Sequence, residues 1–161
     1  MILKCGGAIP GANISRGMPF TRFSKMNFTP YLLFNGNCAE AMHFYKSALG
    51  GDLTVMKVSN SPMKDFMPPK LQNLVINSRL KSGPIEFSAS DWLHPGRNAS
   101  RGNMVCLYLS EGGYEDLKAY FDKLSQGADR DLMDPLTKRP FGFYGAFTDK
   151  FGVRWMFHGS A

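Results

Sequence analysis

Hydrophobic positions along this chain change their period several times, and each change marks an element. Tyr31 to Phe34 (YLLF) is apolar without a break, which predicts a short strand buried on both faces. Pro30 stands at its mouth, where a strand tolerates proline. Asn37 then reads as a helix N-cap, with Glu40 three positions on as its capping-box partner. Ala41, Phe44, Tyr45, Ala48 and Leu49 recur at helical spacing and make one stripe, and Gly50-Gly51 ends the helix. His43 falls off the stripe and is predicted at the surface. Strands follow over 52–58, 71–80 and 85–90, the last two joined by a turn at Lys81 to Pro84. In Ile85 to Ser90, Glu86, Ser88 and Ser90 share one face, while Phe87 and Ala89 take the other. The intervening loop 59–70 carries Met63, Phe66 and Met67 among three prolines. A lid over a ligand, a contact for a second subunit and a tuck into the core are all compatible with that pattern.

The pattern then repeats. After a polar connection at 91–102 come a strand over Met104 to Leu109 and a helix opened by Gly112-Gly113, with Glu115 and Asp116 in its first turn. A shift of 76 residues lays Ala41, Phe44, Tyr45, Ala48 and Gly51 on Leu117, Tyr120, Phe121, Leu124 and Gly127. A short strand is expected within 128–140. The chain closes on a β-hairpin over Phe141 to His158, two aromatic-rich runs around Asp149-Lys150-Phe151-Gly152. In its second run Val153, Trp155 and Phe157 form one face, and Arg154, Met156 and His158 the other, either a solvated edge or a pocket wall. The whole is an internal repeat of α+β type: two tandem βαβββ modules (29–92 and 103–160). Neither module buries its sheet alone. Paired, they make a curved mixed sheet or half-barrel cup with helices on the outer face.

Charge changes the picture at one end only. Formal net charge is +6, but residues 1–25 hold four basic residues and no acid, so the rest carries only +2. Residues 1–25 read as a flexible or leader-like extension, and 26–161 as the single folded domain. A near-neutral body without a basic stripe argues against nucleic acid. No apolar run reaches the length a membrane span requires. Three scattered cysteines, Cys5, Cys38 and Cys106, suit free thiols in a reducing, cytoplasmic setting better than disulfides or a thiolate zinc site.

The phrases FNGNCAEAMHFYKSALGG (34–51), SASDW (88–92) and YGAFTDKFGVRWMF (144–157) resemble the vicinal-oxygen-chelate superfamily of glyoxalase I, extradiol dioxygenases and bleomycin-resistance proteins. Within it they are most similar to the PhnB-like branch, also labelled 3-demethylubiquinone methyltransferase-like. The resemblance covers about Met26 to Ser160. It implies a cup-shaped site, common dimerisation and, in the enzymes, a divalent metal held by four cup-facing His, Glu or Gln residues. Carried over phrase by phrase, those four positions fall here on Pro30, Glu86, Asn103 and Met156. Only Glu86 is a good ligand for a hard ion. The resemblance with these substitutions therefore implies no metal and no other cofactor; the runner-up is one divalent ion in a site rebuilt from Glu86 and His158. No GxSxG, HExxH, P-loop or glycine-rich S-adenosylmethionine loop is present.

The resulting expectation is a small-molecule-binding homodimer. Its cup would be lined by Leu32, Phe34, Glu86, Ser88, Ser90, Asn103, Tyr144, Arg154, Met156 and His158, and would suit a partly hydrophobic ligand that Glu86 biases toward the cationic. Whether it is an enzyme is left open. If it is, Glu86 is the candidate general base, in a lyase or isomerase; an Arg154–Glu86 pair across the cup is the opposing expectation. A third expectation is a regulatory or structural dimer with a filled cup.

Overall fold

The computed structural model describes residues 27–100, 102 and 104–160. The extension 1–25, Cys5 and Asn103 lie outside the described residues. The chain folds as β1 (Tyr31–Phe34), α1 (Cys38–Leu49), β2 (Asp52–Lys57), β3 (Val75–Ser82), β4 (Ile85–Asp91), then β5 (Leu107–Ser110), α2 (Tyr114–Leu124), β6 (Asp134–Arg139), β7 (Gly142–Thr148) and β8 (Arg154–Gly159). Each half is a βαβββ module. The strand order is β1-β4-β3-β2 in one sheet and β5-β8-β7-β6 in the other, each with one parallel pair, and the two sheets do not close on one another. No described helix is long and apolar enough to cross a membrane.

The helices form where the stripes predict. α1 buries Cys38, Ala41, Met42, Tyr45, Ala48 and Leu49, and α2 buries Leu117, Phe121 and Leu124, while His43 is exposed. Both helix starts and both first strands keep the 76-residue offset of the sequence repeat. Gly51 at the end of α1 has φ +81°, and a Cβ there would lie 2.2 Å from the Lys81 carbonyl oxygen, so only glycine fits. In the β7–β8 turn, Gly152 (φ +85°) donates its N–H to the Asp149 carbonyl at 2.9 Å.

Several expectations are corrected. The α1 amides are not capped by Asn37, whose side chain makes no such bond. Asp91, at the end of β4, does this from across the fold: its Oδ1 accepts from the Gly36 and Cys38 N–H groups at 2.9 and 3.0 Å. Its Oδ2 accepts from the Val75 N–H at 2.8 Å. The third strand begins at Val75 rather than Leu71, because Pro68-Pro69 fixes φ and starts a 3₁₀ turn over Pro69–Leu71. The second module's first strand begins at Leu107 rather than Met104; Met104 and Val105 are exposed. Finally, β1 is not buried on both faces. It is an edge strand, and Tyr31 and Leu33 stand 49% and 45% exposed, while Phe34 is buried.

One aromatic core joins the modules. Phe87 of β4 and Trp155 of β8 meet with ring centroids 6.3 Å apart, and Tyr45 of α1 sits 5.6 Å from each. Phe151, in the β7–β8 turn, packs on Phe34, Phe44 and Tyr45. The faces of the two sheets that carry the helices therefore look toward one another. Their opposite faces, called open faces below, turn outward.

Candidate functional site

Strand alternation decides which side chains reach the open faces. On the first sheet, cross-strand pairing puts Ser88 and Ser90 beside Tyr31 and Leu33 of β1, and Ser88 opposite Arg79 of β3. Glu86 shares this face. Leu32 and Phe34 do not: they pair with Ala89 and Asp91 and point to the helix side. An unbroken apolar tetrapeptide fits either register, and only its pairing with β4 decides which residues face out. On the second sheet Met156 and His158 lie beside Tyr108 and Ser110, and opposite Ala146 and Tyr144. Arg154 pairs with Thr148 on the same face.

The polar groups are already engaged. The Arg79 guanidinium donates to Glu86 Oε1 from Nη2 at 2.6 Å and from Nε at 2.9 Å. Arg154 does not pair with Glu86. Its Nη1 donates to the Leu132 carbonyl at 2.7 Å, and its Nη2 lies 3.6 Å from Asp134 Oδ2. The expected pair across the cup is thus replaced by two pairs, one within each sheet region, since the open faces turn away from each other. His158 Nε2 is 3.1 Å from the Phe141 carbonyl oxygen. The imidazole is stacked on Tyr108 at 6.5 Å, and Phe141 packs on His158 and Tyr144 at 6.1 and 6.2 Å. Tyr108 and Phe141 are 53% and 63% exposed. The second open face therefore presents an aromatic group with Met156 beside it. Tyr31, Leu33, Arg79, Tyr108 and Phe141 were not singled out by sequence reasoning. The signal for Tyr108 was present: it alternates with Leu107 and Leu109 in the strand.

Leu32 and Phe34 also line a cavity of about 580 Å³ bounded by β1, the start of β5 and the β7–β8 turn, together with Tyr31 and Leu33 from the first open face and Arg154 from the second. Trp92, Asn35 and Phe151 complete much of its wall. The sequence-predicted residues thus divide among three places: the first open face, the second open face and this cavity.

Within one chain the described residues do not assemble a site that fits a divalent ion. Among the described residues no three His, Cys, Asp or Glu side chains gather to hold one. Glu86 is committed to Arg79, and Met156 stands on the other sheet.

The profile of the family described as 3-demethylubiquinone-9 3-methyltransferase matches residues 26–157. The YjdN protein of Escherichia coli is 28% identical over 141 residues, covering 81% of this chain and 93% of its own. The structure of protein PA1353 from Pseudomonas aeruginosa superposes with a TM-score of 0.72 at 30% identity, over 84% of this chain and 98% of that one. The PhnB protein from Bacillus cereus does so at 0.65 and 24% identity, over 84% and 100%.

Proposed function

This chain belongs to the family described as 3-demethylubiquinone-9 3-methyltransferase, the PhnB-like branch of the glyoxalase superfamily, and we propose that it is a small-molecule-binding protein whose cup is completed by a second copy. The observation that supports this is the contact between Phe87 and Trp155. Because the helix-bearing faces meet inside one chain, Glu86 and Ser88 of the first open face do not share a cavity with Met156 and His158 of the second within it. A second copy can set its second open face (Tyr108, Tyr144, Met156, His158) against the first open face of its partner (Tyr31, Leu33, Ser88). Exposed aromatic and aliphatic side chains concentrated on both faces are what such an association buries.

The ligand suited to this cup is partly hydrophobic. The Tyr108–Phe141–Tyr144–His158 group offers aromatic faces to a flat ring or to an organic cation. Glu86 adds less than its charge suggests, because Arg79 neutralises it. The same ion pair counts against Glu86 as a general base. The reading carries no resident metal and no methyl donor, and its free thiols suit a cytoplasmic setting.

Thermal shift with benzyltrimethylammonium tests ligand binding. The midpoint is expected to rise with probe concentration, and the rise to disappear in Tyr108→Ala/Tyr144→Ala. A flat midpoint in the native protein would count against a cation-accepting cup. Elemental analysis tests the metal: stoichiometric zinc, nickel, manganese or iron that Glu86→Gln removes would overturn the metal-free reading.

A further inference from the structure

A second cavity, of about 780 Å³, lies where the inter-module connection passes the 3₁₀ turn Pro69–Leu71. It adjoins the first cavity, with which it shares Trp92 and Asn98. Its wall includes Lys70, His94 and Arg97, and no Asp or Glu. Neither Lys70 nor Arg97 is in an ion pair among the described residues. Met67, Trp92 and Leu93 supply apolar surface, with the Trp92 indole stacked on the His94 imidazole at 6.2 Å and 27°. Trp92 Nε1 is the one buried side-chain polar atom among the described residues that lacks a hydrogen-bond partner. That N–H has essentially no accessible surface and is closed off from the cavity; what points to an anionic oxygen is the pair of uncompensated cations, Lys70 and Arg97, in a wall without carboxylates. The rim is held in place: Gln72 Nε2 donates to the Lys64 and Met67 carbonyls, each at 2.8 Å. The volume falls within the roughly 300–1,000 Å³ of small-molecule sites.

We propose that this cavity binds an amphipathic organic anion, with Lys70 and Arg97 holding a carboxylate or phosphate head and Met67, Trp92 and Leu93 covering an aromatic or alkyl body. The site stands within one chain and does not depend on the cup formed by two copies. Trp92 reports it directly. The other tryptophan, Trp155, is buried and donates to Asp149, so it is sealed from a ligand here.

The test titrates the full chain with 2-naphthoate, 1-naphthyl phosphate and neutral 2-naphthol, read by tryptophan emission and by calorimetry. Saturable one-site binding of at least one anion is expected, weakened about tenfold or more in Lys70→Ala/Arg97→Ala and weakened by added salt. Trp92→Phe is expected to abolish the emission change while calorimetric heat persists. Both cations are exposed, so the double variant keeps its melting midpoint. Preference between the two anions identifies the head group. No saturable binding, 2-naphthol binding as tightly as the anions, or an unchanged affinity in the double variant would each overturn the proposal.

Discussion

At the scale of single residues, two buried carboxylates organise the molecule. Asp149 Oδ1 accepts from the Phe151 and Val153 N–H groups, both at 2.9 Å. Its Oδ2 accepts from Tyr45 Oη at 2.7 Å and Trp155 Nε1 at 2.9 Å. One side chain thus fixes the terminal turn and ties helix α1 of the first module to strand β8 of the second. Asp149→Asn would keep one accepting oxygen but turn an NH₂ toward the indole N–H. We expect a loss of about 3 kcal/mol in urea unfolding, as two donors confront each other in a buried site. Cys38 gives a second prediction. Burial is the main cause that pushes its thiol up from 9.0 to about 12; the Ser78 hydroxyl opposes that rise and the Asp91 charge adds to it. Tyr45 is raised as well, by burial and by the Asp149 charge. A folded state that holds its protons longer than the unfolded one loses stability as pH rises. For Cys38 that contribution is complete below pH 9 and declines from there toward 12. Urea midpoints measured between pH 8 and 11 should fall, and fall less steeply in Cys38→Ala. A pH-independent midpoint would contradict this.

At the scale of elements, period and punctuation carried far. The α1 stripe, the closing β7–β8 hairpin and the alternation of Trp155 and Phe157 against Arg154, Met156 and His158 were legible because each follows from local geometry. Capping was not legible. Asn37 and Glu40 have the right types and spacing, yet the acceptor is Asp91, fifty-three residues from Cys38. A parallel β1–β4 pairing sets Asp91 beside Phe34 and so at the helix start. No local pattern announces a cap delivered by another strand. Asp91→Ala should therefore cost roughly 3 kcal/mol, since it strands three backbone donors. Asn37→Ala should stay within about 0.5 kcal/mol. Equal effects of the two substitutions in chemical denaturation would reverse that assignment.

At the scale of the whole molecule, the shared core turns the two open faces outward, and the proposed cup then needs a second copy to close it. Leu33→Glu puts a charge on the first open face, and Tyr108→Glu puts one on the second. Neither residue contributes to the buried core, so each variant should stay folded; on the two-copy proposal the native chain is expected to sediment as a dimer and each variant as a monomer. Mixed together, the two variants should recover dimer. One interface then joins two undamaged faces, and the other carries both charges. A native chain that is monomeric at all concentrations, or two variants that never recover association, would sink the two-copy cup.

The repeat, the βαβββ order, the helix stripes and the outward set on β8 were determined by the sequence itself, because side-chain period and turn chemistry are local and survive without knowledge of partners. The orientation of the modules was decided only by tertiary structure. Identical strand patterns serve two sheets lying edge to edge or two sheets whose helix sides meet, and the choice rests on long-range contacts: Phe87 with Trp155, Tyr45 with Asp149. That choice turned Leu32 and Phe34 inward, gave Glu86 to Arg79 instead of Arg154, and left each half of the expected cup facing solvent.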